Sequence, residues 1–313
     1  MDTRLVAPLI AVAALCTACT SAGPGAEFTE ILPDDRIYVN MPVDSGAAKD
    51  AEDGIWSDYY LLTARVTDDV NAMIALPLIL IDLITDTPPS DIDDERTHAV
   101  WGPYSDALDP VETALHVEHY ADDSWEWYFV QKPANADDAE YTDVIRGTVD
   151  AGSTREVHSG QFAIAFDVMQ ELDPNVALSG VFVSEYDVNA TDVTATALFS
   201  EVAEHDGEPI DALYAYEQVH DGEGAMDLGW LADIDDDGDD ESHIVRSRWT
   251  AEGAGRSDAY LTGGTLGDLV FNESECWDEH FDPVYNSNNW SEEETGDVAD
   301  CAFAEAEWND SSE

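Results

Sequence analysis

The most regular feature of the chain is a period-two alternation of apolar and polar residues that recurs from position 113 to position 264. It is clear in "SGQFAIAFDV", where Phe162, Ile164 and Phe166 fall on one side of an extended chain. Short polar segments such as "ADDS", "HDGEG" and "DDDGDD" separate the alternating stretches. Short strands with short turns and no helix pattern between them predict a mainly β fold. We expect an antiparallel meander that forms a barrel or a large curved sheet.

One helical segment precedes the strands, in "YYLLTARVTDDVNAMIALPLILIDLITDTPPSD" at residues 59–91. Its apolar positions recur at helical spacing: Val66, Val70, Met73, Pro77, Leu80 and Ile84. We expect Pro77 to break or kink the helix and Pro88-Pro89 to end it. The apolar run in its middle is shorter than the 20 or so residues of a transmembrane span. Because the segment is apolar nearly all round, we predict that it packs on or in the sheet within one domain, residues 55–275.

The N-terminus has the pattern of a secretory signal over residues 1–18, "MDTRLVAPLIAVAALCTA". The junction "LCTAC" resembles a bacterial lipobox, in which a small residue precedes a cysteine that becomes the acylated N-terminus. The resemblance implies cleavage after Ala18 and lipidation of Cys19 by acyl chains such as palmitate. It thus implies a bacterial lipoprotein anchored to a membrane of the cell envelope and facing the periplasm or the exterior. Simple secretion is the alternative.

Two segments flank the predicted domain. Residues 19–54 are small, acidic and rich in glycine and proline, which is typical of a flexible tether. Residues 276–313 form a C-terminal tail that contains Cys276 and Cys301. In an oxidising compartment these two cysteines are expected to form a disulfide that staples the tail to itself or to the sheet edge. The stretches "RSRWTAEGAGRSD" and "SECWDEHF" also resemble segments of predicted lipoproteins from predatory and soil bacteria.

Charge is the outlying feature of the composition. The chain has 70 acidic and 11 basic residues, for a formal net charge of −59. Self-repulsion at this charge is heavy in dilute buffer, whereas at 1 M salt the screening length is only about 3 Å. We therefore interpret the composition as halophilic, with a merely acidic surface protein as the alternative. Nucleic acid is excluded as a partner, because its phosphates are bound by cationic side chains.

One acidic segment has the spacing of a calcium loop. In "DIDDDGDDE", Asp233, Asp235, Asp237 and Asp239 alternate along the chain, and Gly238 permits a tight turn. The EF-hand pattern fails at its twelfth position, which is Ile244 in place of glutamate. We predict no required cofactor and a weak calcium site here. The alternative is a solvated acidic hairpin tip.

Aromatic residues could line a ligand cavity. In "WEWYF", alternation puts Trp125, Trp127 and Phe129 on one face. They belong to a larger set of aromatic residues in and around the strands: Trp101, Trp125, Trp127, Tyr128, Phe129, Tyr214, Tyr216 and Trp230. The alternative is that these rings fill a barrel core. The histidines His116 and His119 should face opposite sides of one strand, and the scarce arginines Arg155, Arg246, Arg248 and Arg256 should pair with carboxylates.

Motifs for catalysis are not evident, and no catalytic residue is assigned. The chain has no GxSxG, HExxH, GxGxxG or P-loop motif. We expect a non-enzymatic envelope protein that binds a hydrophobic ligand or an envelope partner. A carboxylate-dependent hydrolase and a purely structural surface protein are the alternatives, since paired carboxylates are common in so acidic a chain.

The lipobox makes a direct prediction. In Cys19→Ser the acyl acceptor is lost, so the protein should move from the membrane fraction to the soluble fraction on ultracentrifugation. Cys16→Ser, which changes the neighbouring cysteine, is the control and should stay membrane-bound. Continued membrane attachment of Cys19→Ser would rule out the predicted anchor.

Overall fold

The computed structural model describes residues 25–42, 56–105, 109–136, 140–154, 156–204, 207–219, 222–233, 238–291 and 294–307. The predicted signal, Cys16, Cys19, Arg155 and the middle of the acidic loop lie outside these residues.

One antiparallel sheet forms most of the structure, and its strands follow one another in chain order. The strands are β1 (Asp91–Ile92), β2 (His98–Tyr104), β3 (Val111–His119), β4 (Trp125–Pro133), β5 (Thr142–Val149), β6 (His158–Ala165), β7 (Leu178–Val188), β8 (Asp192–Glu204), β9 (Ile210–Val219), β10 (Gly224–Ala232), β11 (Glu241–Trp249), β12 (Gly255–Gly263), β13 (Phe271–Trp277), β14 (Pro283–Asn288) and β15 (Glu294–Gly296). Each strand pairs with the next, and β1 and β15 are the two edges. The meander is therefore confirmed as a large curved sheet and does not close into a barrel.

The helices are few. They are α1 (Ala26–Thr29), α2 (Asp58–Thr85) and α3 (Phe166–Leu172), with 3-10 turns at Asp35–Ile37, Gly264–Leu266 and Val298–Asp300. The strand predicted to include Phe166 ends one residue earlier, because Phe166 begins α3. Phe162 and Ile164 do share the buried inner face of β6.

Helix α2 covers part of the inner face of the sheet. Ser57 caps its N-terminus by accepting a hydrogen bond from the backbone N–H of Tyr60 at 3.1 Å. Glu275 on β13 accepts from the backbone N–H of Tyr59 at 3.1 Å, and the hydroxyls of Thr63 and Ser247 lie 2.7 Å apart. These contacts fix the N-terminal half of the helix against β11–β13.

The helix buries one side and not its whole circumference. Pro77 lies on the buried side together with Val70 and Ile74, and the helix continues past it to Thr85. Ile79 and Leu83 are 61% and 70% exposed. Within the described ranges, no helix has the length and hydropathy needed to cross a bilayer.

The described part of the predicted tether packs against the body. In residues 25–42, Phe28, Ile37 and Val39 are almost fully buried, and Phe28 makes an edge-to-face contact with Trp125 at 5.7 Å. The Asn71 side chain exchanges two hydrogen bonds with the backbone of Val39, at 2.8 and 2.9 Å. A few apolar residues among the acidic ones are therefore enough to add this segment to the core. The overall composition of residues 19–54 did not predict this packing.

The outer face of β11–β13 is covered by the C-terminal segment. Cys276 on β13 is joined to Cys301 by a disulfide, with a Cα–Cα distance of 5.5 Å. Arg256 lies buried in a hydrogen-bonded ion pair with Asp258 at 2.9 Å, and its guanidinium also donates to the carbonyl of Ala304 at 3.0 Å. The backbone N–H of Glu307 donates to Asp258 at 2.9 Å.

The expected pairing of arginines with carboxylates holds for the three that the structure describes. Arg256 pairs with Asp258, Arg248 with Asp258 and Glu307, and Arg246 approaches Asp227 at 3.6 Å. Arg248 and Arg256 therefore connect β11 and β12 to the C-terminal segment.

Three indole rings of the core lie in close contact with glycines of the neighbouring strand. The register pairs are Trp127 with Gly147, Trp249 with Gly224, and Trp277 with Gly255. All three rings are fully buried. A Cβ at any of these glycines would overlap the ring, so the absence of a side chain is what allows the close approach.

These contacts predict opposite outcomes for two glycines of β10. In Gly224→Ala the new Cβ would lie 2.6 Å from the Trp249 ring, so overpacking should lower the free energy of unfolding by about 1–3 kcal/mol. In Gly229→Ala the nearest atom is 3.8 Å away, so the change should stay below about 1 kcal/mol. Urea denaturation at fixed high salt measures both. Equal effects of the two substitutions would contradict the role of the stacked ring.

Candidate ligand groove beside helix α2

Two adjoining clefts lie between the N-terminal half of α2 and the inner face of β8–β13, and we call them together the inner groove. The first has a volume of 290 Å³ and lies over β8–β10. It is lined by Leu62, Arg65, Val66, Asp69, Val70, Phe199, Ile210, Ala212, Leu228 and Trp230. The second has a volume of 300 Å³ and lies over β10–β13. Its lining includes Tyr59 and Leu62 of α2 and, from the sheet, Trp230, His243, Val245, Ala259, Leu261, Phe271 and Glu273, with Trp290 at its rim. Leu62 and Trp230 border both clefts.

The groove exists because small side chains occupy inner-face positions of the sheet opposite α2. Ala212 on β9 and Ala259 on β12 both face α2 across the groove. Over the first half of the sheet the equivalent inner positions hold Trp101, Trp127 and Phe162, all buried in the continuous core. The sheet is therefore packed solid at one end and left open beside the helix at the other.

The walls of the groove are apolar and partly exposed to solvent. Ile210 is 54% exposed, and Phe199 and Trp230 are only partly buried. The first cleft is lined almost wholly by aliphatic and aromatic side chains, with Arg65 and Asp69 as its charged residues. Such a surface gains free energy when an apolar ligand excludes water from it, at roughly 25 cal/mol per Å² covered.

The second cleft holds two polar groups of different character. The Glu273 carboxylate accepts hydrogen bonds from the Tyr59 hydroxyl at 3.0 Å and from the Asn286 amide at 2.9 Å. Burial, and then the charge of Glu273, raises the pKa of Tyr59, so the phenol keeps its proton. His243 stacks on Trp230 with ring centroids 4.7 Å apart, and burial lowers the pKa of its imidazole. Burial therefore favours the neutral form of His243 over its charged form.

One polar atom at the floor of the second cleft has no hydrogen-bond partner. The Nε2 atom of His243 is buried and unpaired among the residues that the structure describes. A buried polar atom without a partner costs free energy, so His243 is a destabilising feature of the second cleft.

The aromatic residues predicted to line a cavity occupy a different place from the groove. Trp127 and Phe129 are fully buried in the main core. Trp125 is partly exposed and stacks on His119 at 4.0 Å. Of the wider aromatic set, Trp230 borders both clefts of the groove.

Three residues that line the groove, Leu62, Ala212 and Phe199, belong to no motif in the sequence. The available signal was weak: alternation places Ala212 and Phe199 on the inner face, but any inner-face residue shares that pattern. These residues line a cleft because α2 lies over β8–β13. The alternation of apolar and polar residues does not predict that position of the helix.

The acidic loop joins β10 to β11 along the chain. Asp233 accepts a hydrogen bond from the backbone N–H of Gly238 at 2.7 Å, and Asp239 comes directly after Gly238. Asp235 and Asp237 lie outside the described residues. Within the ranges that the structure covers, no three histidine, cysteine or acidic side chains are placed to hold a metal ion. Calcium binding by the four aspartates stays a prediction.

The histidines of β2 and β3 make ring contacts on both faces of the sheet. His116 stacks on Tyr128 at 5.0 Å, and its Nδ1 atom lies 3.0 Å from Nε2 of His98. Burial, and then the neighbouring His98, lowers the pKa of His116. His119 stacks on Trp125 instead. His116 and His119 therefore have separate ring partners.

Comparison with known proteins adds no relative: the chain matches no family model, no curated protein and no solved structure.

The stacking of His243 on Trp230 predicts a measurable titration. The pKa of His243 should lie below 6.5 in the unaltered protein. In Trp230→Ala, water reaches the imidazole and stabilises its charged form, so the midpoint should rise towards 6.5. NMR of histidine-labelled protein measures the midpoint. Leu231→Ala, at the exposed neighbouring position, is the control and should leave it unchanged. An unaltered midpoint in Trp230→Ala would show that the ring does not shield His243.

Proposed function

We propose that this protein is a lipid-anchored protein of the bacterial cell envelope that binds a hydrophobic ligand in the inner groove. The observation that carries the proposal is an apolar cleft of 290 Å³ between α2 and β8–β10, whose lining includes the half-exposed Ile210. Clefts that bind small molecules are mostly apolar with a few placed polar groups, and they begin at about 300 Å³. The adjoining second cleft extends the same surface.

The groove lies beside a fixed helix and away from the filled core, which supports binding by a preformed site. Helix α2 is fixed by Glu275 and Ser247 at its N-terminal half, close to the groove. The opposite end of the sheet is filled by the continuous core that includes Trp127 and Phe162. A ligand would therefore enter beside a rigid helix and displace water, without having to open the core.

The proposed location follows from the lipobox and the charge. An acyl chain on Cys19 would hold the body at a membrane, which is the partner the N-terminus implies. Net charge of −59 would keep the body soluble in a salty exterior and repel it from anionic lipid at low salt. Ligand binding would thus take place close to a membrane from which hydrophobic molecules can be drawn.

Filling the groove tests the proposal. In Ala212→Phe, a ring placed on the inner face of β9 should occupy the first cleft and weaken binding of cis-parinaric acid at least about tenfold. Fluorescence titration of the purified Cys19→Ser protein, which lacks the acyl group, measures the affinity.

The matched control is Ala215→Phe, on the same strand with its side chain on the outer face. It should bind cis-parinaric acid as the parent does. The proposed function is wrong if the parent binds neither this fatty acid nor its methyl ester, or if Ala212→Phe binds as tightly as the parent while remaining folded by circular dichroism.

A further inference from the structure

Arg65 on α2 is the arginine in the described ranges whose guanidinium has no carboxylate oxygen within 4.0 Å. The other arginines, and Lys132, each approach an acidic side chain within that distance: Arg36, Arg96, Lys132, Arg146, Arg246, Arg248 and Arg256. In so acidic a chain an exposed guanidinium without a close ion pair is an exception. Arg65 also lines the first cleft of the inner groove, beside the apolar Val66 and Phe199.

The acidic neighbours of Arg65 restrict what it can hold. Asp68 and Asp69 follow it on the helix, and Asp69 lines the cleft as well. Asp69 is close enough for the guanidinium to oppose the rise in its pKa caused by burial and by Asp68. The two carboxylates repel any anion, and the repulsion grows with its charge, so a group with one negative charge is the anion least disfavoured beside Arg65. A planar carboxylate also matches the fork of a guanidinium in a bidentate pair.

The shape and charge of the groove set the rest of the ligand. A cleft of 290 Å³ at the lower end of small-molecule sites suits one acyl chain rather than two. The chain can continue past Trp230 into the second cleft, since that ring borders both. Glu273, at the far end, would repel an anionic head there. The charged end of the ligand is therefore at Arg65 and the chain runs towards Trp230.

We infer that the inner groove binds a single-chain fatty acid, with its carboxylate on Arg65 and its hydrocarbon chain between α2 and β8–β10. The inference rests on the proposed function and adds the ligand class and the residue that recognises the head group. Arg65 favours a fatty acid over its uncharged ester. The apolar walls supply the part of the affinity that the acid and the ester share.

The test compares two ligands that differ only in charge, cis-parinaric acid and its methyl ester, on the Cys19→Ser protein at fixed ionic strength. Arg65→Gln should weaken binding of the acid at least about tenfold, as expected for loss of a charge-assisted hydrogen bond, and leave binding of the ester unchanged. Because Arg65 is exposed and makes no ion pair, the substitution should not affect folding, which circular dichroism checks.

Arg96→Gln is the matched control. It removes the same charge from another exposed arginine, one that pairs with Glu27 and lies outside the groove lining. It should bind both ligands as the parent does, which separates a direct contact from a change in net charge.

The outcomes distinguish failure of the fatty-acid inference from failure of the proposed function. If the parent binds acid and ester equally, or if Arg65→Gln weakens both alike, the fatty-acid inference is wrong while the groove remains a binding site. If dioleoylphosphatidylglycerol displaces cis-parinaric acid more strongly than oleate does, the ligand is a phospholipid and the inference is again overturned. If neither acid nor ester binds the parent, the proposed function itself fails.

Discussion

The packing of α2 onto the inner face of an unclosed sheet is the contact on which the rest of this structure depends. A sheet with one apolar face must cover that face, and a barrel would do so by closing on itself. Here β1 and β15 remain separate edges, so the cover comes from a helix and from residues 25–42. Because one helix cannot cover the whole inner face, a groove is left along its side.

The two edges of the sheet are constructed in ways that limit further strand pairing. β1 contains two residues, and β15 contains three that are all exposed. Short edge strands in a strongly acidic protein are poor templates for pairing with other chains. Inside the sheet, Trp127, Trp249 and Trp277 each lie on a glycine of the adjacent strand, which fixes register through close contact as well as hydrogen bonds.

The basic side chains of this protein differ in whether they form ion pairs. Most of the described basic side chains pair with carboxylates, and Arg248 and Arg256 hold the C-terminal segment across β11–β13. The disulfide between Cys276 and Cys301 fixes the same segment covalently. Arg65 differs from them in its exposure and its place beside an apolar cleft, which is why we give it a role in recognition.

The sequence by itself determined the class of the fold, because period-two alternation and helical spacing are local patterns that each residue shows with its neighbours. It thereby predicted the meander and the helix beginning near residue 59, whereas the pairing of Cys276 with Cys301 was predicted from the cysteine count and an oxidising compartment. Tertiary structure decided whether the sheet closed, that Trp127 and Phe129 became core, and that Ala212 and Trp230 came to line a groove. Those outcomes depend on which residues from distant segments meet, and a local pattern carries no information about where a helix settles on a sheet.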